Sequence, residues 1–267
     1  MTTKNHTVDK DRYPAFFLGH GNPMNALDDN RYSRAWAAIG REFPAPRAAL
    51  VVSAHWYVPG VHVTSMPQPR TIHDFGGFPQ ALFDMQYPAP GDPQLADEII
   101  ELLAPENVGR DFDWGLDHGT WAVLCHVWPN ANVPVVQLSI DRRQAPEFHY
   151  ELGSRLAPLR DEGVLVIGSG NVVHNLARYA WNDSAAAPFD WNVRFDATVR
   201  KLLESRRHRE LVDYASLGQD AALAVPTPDH YLPLLYVAAL QTGDDAVSYP
   251  VDGFDGASMS MLSIRIG

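Results

Sequence analysis

Four short runs of unbroken apolar residues punctuate the chain: AFFL at 15–18, AALVVS at 48–53, VPVVQLS at 133–139 and GVLVIGS at 163–169. None alternates with polar residues, and each is bounded by Gly, Pro or polar positions. That is the pattern of a strand buried on both faces. Between and after them apolar residues recur at helical spacing, predicting helices over 28–43, 93–106, 145–160, 195–207 and 228–243. Strands alternating with helices predict an α/β fold, with a largely parallel or mixed central sheet flanked by helices. No repeat or low-complexity linker interrupts the pattern, so residues 1–267 read as a single catalytic domain, with 1–13 as a flexible N-terminal segment. The longest irregular stretch, 57–92, is rich in Pro, Gly and aromatic residues, a length that is uncommon in a compact domain unless it carries function.

The polar residues that follow the strands are of one kind. AFFL runs into Gly19-His20-Gly21-Asn22-Pro23, ALVV into Ser53-Ala54-His55-Trp56, and VLVIGS into Gly170-Asn171-Val172-Val173-His174. In open parallel sheets ligands bind outside the carboxyl ends of the strands, so three histidines are delivered to one edge. His230, in the first turn of a helix opened by Thr227, Pro228 and Asp229, is a fourth candidate, and His118, in GLDHGTWAVL, a fifth. His6, His62, His149 and His208 stand in polar or helix-surface contexts and read as structural. His126, eight residues beyond His118 on an apolar helix, reads as core or as support behind the site. His73 lies in the long aromatic loop. No carboxylate is expected at these strand ends.

Neutral imidazoles around an open coordination position suit Zn, Fe, Cu or Ni. Trp56, Tyr57, Phe75, Phe78, Trp121 and Tyr231 lie beside the histidines in sequence and predict a pocket for a flat, apolar or aromatic substrate. GSGNVV at 168–173 lacks the third glycine of a dinucleotide fingerprint, and Ser169 lacks the flanks of a nucleophile elbow.

Composition narrows the field. The formal charge of −11 argues against a nucleic acid or an anionic membrane as partner, and the one basic cluster, RKLLESRRHRE at 200–210, reads as a solvated helix face. Cys125 is the sole cysteine, which excludes an intrachain disulfide and a Cys-rich zinc site. No apolar run approaches the roughly 18 residues of a membrane span, and the polar N-terminus is unlike a signal peptide; a cytoplasmic location is expected.

Six segments in order, GHGNPMNAL, VVSAHW, TIHDFGGFPQALFDMQYPAPGDPQLA, GLDHGTWAVL, VIGSGNVVHNL and PTPDHYLPLLY, resemble the DOPA 4,5-dioxygenase branch of the class III extradiol ring-cleaving dioxygenases. The similarity runs from about residue 15 to 240. It implies one divalent metal, Fe(II) for activity, with Zn(II) as the ion that a purified protein could hold instead. It implies His20, His55 and His230 as ligands, His174 as the acid–base group or a fourth ligand, and His118 as a residue that positions substrate or oxygen. The implied substrates are a small catechol and O2. Two departures stand out: His230 occupies the place of the carboxylate in the wider class's two-His, one-Glu triad, and His73 stands where a tyrosine is expected. The residues alone leave two other functions open, a zinc hydrolase built on the same histidines and a non-catalytic metal- or ligand-binding relative.

Overall fold

The computed structural model describes residues 12–243 and 245–267. Ten strands follow one another as β1 (Ala15–Gly19), β2 (Ala48–Val58), β3 (Val61–Thr64), β4 (Val108–Asp111), β5 (Val135–Asp141), β6 (Val164–Gly170), β7 (Val247–Val251), β8 (Phe254–Asp255), β9 (Met259–Ser260) and β10 (Ser263–Ile266). Eight form one sheet in the order β4-β3-β5-β2-β6-β1-β10-β7, while β8 and β9 make a separate small ladder. The four predicted apolar runs are the centre of the sheet: β5, β2, β6 and β1 are parallel neighbours, and every residue of β1, β5 and β6 is buried. Antiparallel pairings of β3 with β5 and of β10 with β1 extend the sheet on either side, so it is mixed.

Helices cover both faces, which is why the central strands are apolar throughout. One face packs against the helices Pro93–Leu103, Pro146–Arg155, Asp190–Glu204 and Leu232–Ala238; the other packs against Arg31–Glu42 and His118–Val127. Several helix bounds differ from the predicted ones: 195–207 is observed as Asp190–Glu204 and 228–243 as Leu232–Ala238. The predicted helix 145–160 breaks after Arg155 and resumes at Pro158, whose ring cannot continue the hydrogen-bond ladder. The basic cluster 200–210 is not one helix face: the helix ends at Glu204, and Arg206 takes a left-handed conformation with φ 55° before a short helix begins at His208.

The first eleven residues of the expected flexible segment 1–13 lie outside the described residues. Tyr13 is fixed, its amide donating to the Arg160 carbonyl at 3.0 Å. Among the described residues no helix is long and apolar enough to cross a membrane.

Candidate metal centre and substrate pocket

The loops that follow β1 and β6, together with His55 from the irregular later part of β2, converge on a cavity of about 180 Å³. Gly19 and Gly21 make the turn at His20 possible for different reasons. A Cβ on Gly19 would sit 2.8 Å from the Leu262 carbonyl oxygen, and Gly21 adopts φ +63°, a region open mainly to glycine. The turn is then tied down: Asn171 Oδ1 accepts from the Gly21 amide at 3.3 Å, and Asn25 Nδ2 donates to the His20 carbonyl at 3.2 Å. His126 Nε2 donates to the Asn25 carbonyl at 2.8 Å, so this histidine supports the turn from behind.

His55 owes its placement to an irregularity in β2. Between Val52 and Tyr57 the strand spends five residues where β5 spends two, Leu138 to Ile140. Extra residues of this kind re-aim a side chain beside a functional site. His230 arrives from another element, held close by Gly170, where any Cβ would meet the His230 carbonyl oxygen at 2.2 Å.

Ligand atoms of His20, His55 and His230 all lie within 4.8 Å of one another. Their tautomers follow from the hydrogen bonds on the far side of each ring. Ser169 gives its only hydroxyl proton to the Gly119 carbonyl, so it accepts from His20 Nδ1 at 3.0 Å. His55 Nδ1 pairs with Asp74 Oδ2 at 3.1 Å, and His230 Nδ1 with Asp229 Oδ2. With each Nδ1 donating outward, each Nε2 presents a lone pair. His20 Nε2 and His55 Nε2 stand 3.2 Å apart. Two bare lone pairs at that distance repel unless a cation lies between them. Two metal–nitrogen bonds of about 2.1 Å would place the nitrogens about 3.0 Å apart at a right angle and about 3.4 Å apart at the tetrahedral angle. The three residues therefore fit a divalent transition metal.

At His20 and His230 the electrostatics favour the neutral, ligating form. Burial, reinforced by neighbouring imidazoles, lowers His20 and His230 well below the usual histidine value. Burial also pulls on His55, but its hydrogen bond to Asp74 and the charges of Asp117 and Asp74 outweigh that and raise it. Asp74 resists burial through its pairing with His118 and His55, which holds its carboxyl below the usual carboxylate range.

His118 and His174 flank the triad. His118 begins the helix His118–Val127, whose N-cap, Asp117, is wholly buried and accepts from Ser53 Oγ and Gln137 Nε2, each at 2.7 Å. The His118 amide donates to Asp74 Oδ1 at 2.9 Å, and its Nδ1 lies 3.0 Å from the same oxygen. One carboxylate thus bridges a predicted ligand and a predicted positioning residue. His174 stacks on His230 with ring centroids 3.5 Å apart and planes within 6°. It lines the cavity without joining the set of three whose ligand atoms converge. Burial pushes it down to about 4, so it is neutral near pH 7.

Of the aromatic residues expected to form the pocket, Phe75 and Phe78 line the cavity, joined by Leu176, Tyr179 and Trp181, while Trp56, Tyr57, Trp121 and Tyr231 do not. Trp56 is buried elsewhere, stacked on Trp114 at 5.5 Å, because adjacent strand residues point to opposite faces and His55 takes the site side. Trp121 is sealed behind Phe75, its indole donating to the Ile72 carbonyl at 2.8 Å. Tyr231 is buried against Tyr214, with its hydroxyl donating to the Leu211 carbonyl. His73 faces the Met85 carbonyl and does not line the cavity. Nor is His149 a surface group: it is fully buried with Nδ1 3.0 Å from the Tyr236 hydroxyl.

The expectation of no carboxylate at the strand ends also fails, since Asp74, Asp117 and Asp229 stand directly behind the imidazoles. All three left a trace in the sequence, as the neighbouring pairs His73-Asp74, Asp117-His118 and Asp229-His230.

A mixed α/β sheet covered on both faces, with three imidazoles converging at the carboxyl ends of its parallel strands, carries the donor set of a site for a single divalent metal. Residues 14–260 match the family described as the catalytic LigB subunit of aromatic ring-opening dioxygenase, and the chain belongs to that family of class III extradiol dioxygenases. It is 48% identical to a 4,5-DOPA dioxygenase extradiol of Escherichia coli K12, over 99% of this chain and 98% of that one. A protein of the same description from Beta vulgaris is 39% identical over 94% of this chain and 95% of its own length. The crystal structure of an uncharacterized Escherichia coli K12 protein superposes with a TM-score of 0.84 at 45% identity, covering 96% of this chain and all of the other.

Proposed function

We propose that the protein opens the ring of a DOPA-like catechol with O2 at a ferrous centre held by His20, His55 and His230, giving a ring-opened semialdehyde. The observation that carries this reading is the convergence of three outward-anchored imidazoles beneath a ring-sized, largely apolar cavity. Apolar cavities of about 150 Å³ admit benzene, so about 180 Å³ has room for one substituted six-membered ring. The names of the relatives from Escherichia coli and Beta vulgaris point to the same chemistry.

Fe(II) bound there would supply Lewis acidity and the one-electron chemistry with oxygen that ring opening requires. The chain's own residues do the rest. Phe75 and Phe78, in edge-to-face contact at 5.4 Å, wall the ring. His174, neutral and facing the cavity, accepts the proton of a catechol hydroxyl and returns it as the ring opens. His118, fixed through Asp74, positions substrate or oxygen from the opposite wall. Oxygen uptake by anaerobically Fe(II)-loaded protein given L-DOPA, with a yellow product appearing in step, is the expected result. No uptake by protein shown to hold iron, across several catechols, would refute the reading.

A further inference from the structure

We infer that the site reads only the catechol head of its substrate, so that DOPA capped at its amine and carboxyl, as in a peptide, is cleaved as well as the free amino acid. The inference rests on the site being a catechol-cleaving centre. Size is the first ground. Apolar cavities of about 150 Å³ hold benzene, so one ring takes most of a cavity of about 180 Å³. In DOPA the amino-acid group leaves the ring on the side away from the two oxygens. With those oxygens toward His20, His55 and His230, that group points out of the cavity. The lip it reaches carries Leu176 and Trp181, which line the cavity and yet are 43% and 63% exposed.

Charge is the second ground. A pocket recognises an ammonium or a carboxylate through a counter-charge, because either group leaves water at a cost unless it is paired. Among the described residues no Lys, Arg, Asp or Glu lines the cavity. Arg178, between Leu176 and Tyr179, is exposed and stands outside the lining. Asp74 and Asp229 lie behind the imidazoles, each paired with a ring it orients. Asp255 is buried and accepts from the Tyr179 hydroxyl at 2.9 Å. Asn22 spends its side-chain oxygen on the Met24 amide at 2.9 Å. The two positive charges of a divalent metal are offset by the catechol itself as its hydroxyls lose their protons, so they do not sort groups at the lip. Both ends of the amino acid therefore stay in water, and capping either one removes no contact.

L-DOPA, its methyl ester, N-acetyl-L-DOPA and N-acetyl-L-DOPA amide remove the charges one at a time and then together. With the iron-loaded protein, kcat/KM from oxygen uptake should agree across the series within about fivefold. Dissociation constants for the zinc-loaded protein, from calorimetry under nitrogen, should agree to the same extent. A larger loss on capping either end, in either measurement, would overturn the inference while leaving ring cleavage standing. The lip adds a second readout. N-acetyl-L-DOPA leucine amide brings an apolar side chain that can cover Leu176 and Trp181, and its KM should be severalfold below that of the plain amide. Trp181→Ser should remove that gain. No gain in the unaltered protein, or a gain kept in Trp181→Ser, would overturn the placement of the amino-acid group at this lip. Absence of uptake with every compound, L-DOPA included, would remove the catechol reading itself.

Discussion

Replacing Asp74 by Asn keeps the side chain's shape and removes its charge. In the native arrangement one carboxylate faces His55 Nδ1 at 3.1 Å and His118 Nδ1 at 3.0 Å, and also accepts the His118 amide. Two imidazole nitrogens and one amide approach the two oxygens, the amide by a hydrogen bond and His118 Nδ1 by an ionic contact only. A carboxamide offers only one oxygen and turns an NH2 toward one of the imidazoles, so at least one charge-assisted contact is lost and a donor faces a donor. Hydrogen bonds to charged groups contribute about 1.5–3 kcal/mol each, and the Asp74 side chain is only 17% exposed, so solvent replaces little of that. His55 is also released to take the other tautomer, with its proton on Nε2 and no lone pair for the metal. Partners behind metal ligands are typically worth about 10- to 100-fold in metal affinity or activity. Asp74→Asn should fall in that range. Retained iron after timed dialysis against a chelator, with oxygen uptake measured alongside, tests it, and metal-free thermal unfolding controls for the fold. If iron retention and kcat both stayed within about twofold of the native protein, the tautomer argument would be wrong.

Three further outcomes are expected. His174→Ala should keep its iron and lose about 10²–10⁴ in kcat if His174 moves a proton; loss of the metal instead would make it a ligand. Gly170→Ala must displace the His230 backbone, since the added carbon would lie 2.2 Å from its carbonyl oxygen, and should lower iron content; unaltered occupancy would show that the loop yields freely. His149, far from the centre, is pushed down to about 4 by burial. An unfolded chain binds that proton near 6.5, so between these values it holds more protons than the folded one and stability falls as pH falls. This contribution reaches about 2 kcal/mol at pH 5 relative to pH 7; because His20, His174 and His230 are also lowered and contribute in both proteins, urea unfolding should show a pH dependence smaller by about that amount in His149→Gln than in the native protein.

The parallel heart of the sheet was readable because both its faces are covered, which forces unbroken apolar runs on β1, β2, β5 and β6. The strands at the margins were not. β3 and β4 are four residues each, and β7 alternates inward and outward positions like any half-exposed segment. The histidines could be placed because position after a strand is a topological fact. Their carboxylate partners could not, because Asp74 reaches His55 and His118 from an irregular loop whose path no periodicity encodes. The aromatic contacts were misjudged where nearness in sequence was taken for nearness in space. On a strand the residue after a histidine looks the other way, as Trp56 does. In the turn that opens a helix, the next residue can point into the core, as Tyr231 does.

Strand β1, which ends at Gly19 immediately before His20, is paired on one side with β6 and on the other with β10. During synthesis the imidazoles of residues 20 and 55, two of the three that converge, emerge long before residues 263–266, yet β1 keeps one open edge until that strand docks. The nascent chain therefore carries most of its ligand set while the scaffold that fixes their spacing is unfinished. A ribosome-stalled or proteolysed chain ending before Ser263 would expose the unpaired edge of the strand that presents His20, and such edges recruit other strands. For this protein, assembly of the centre and protection from aggregation depend on the same late event.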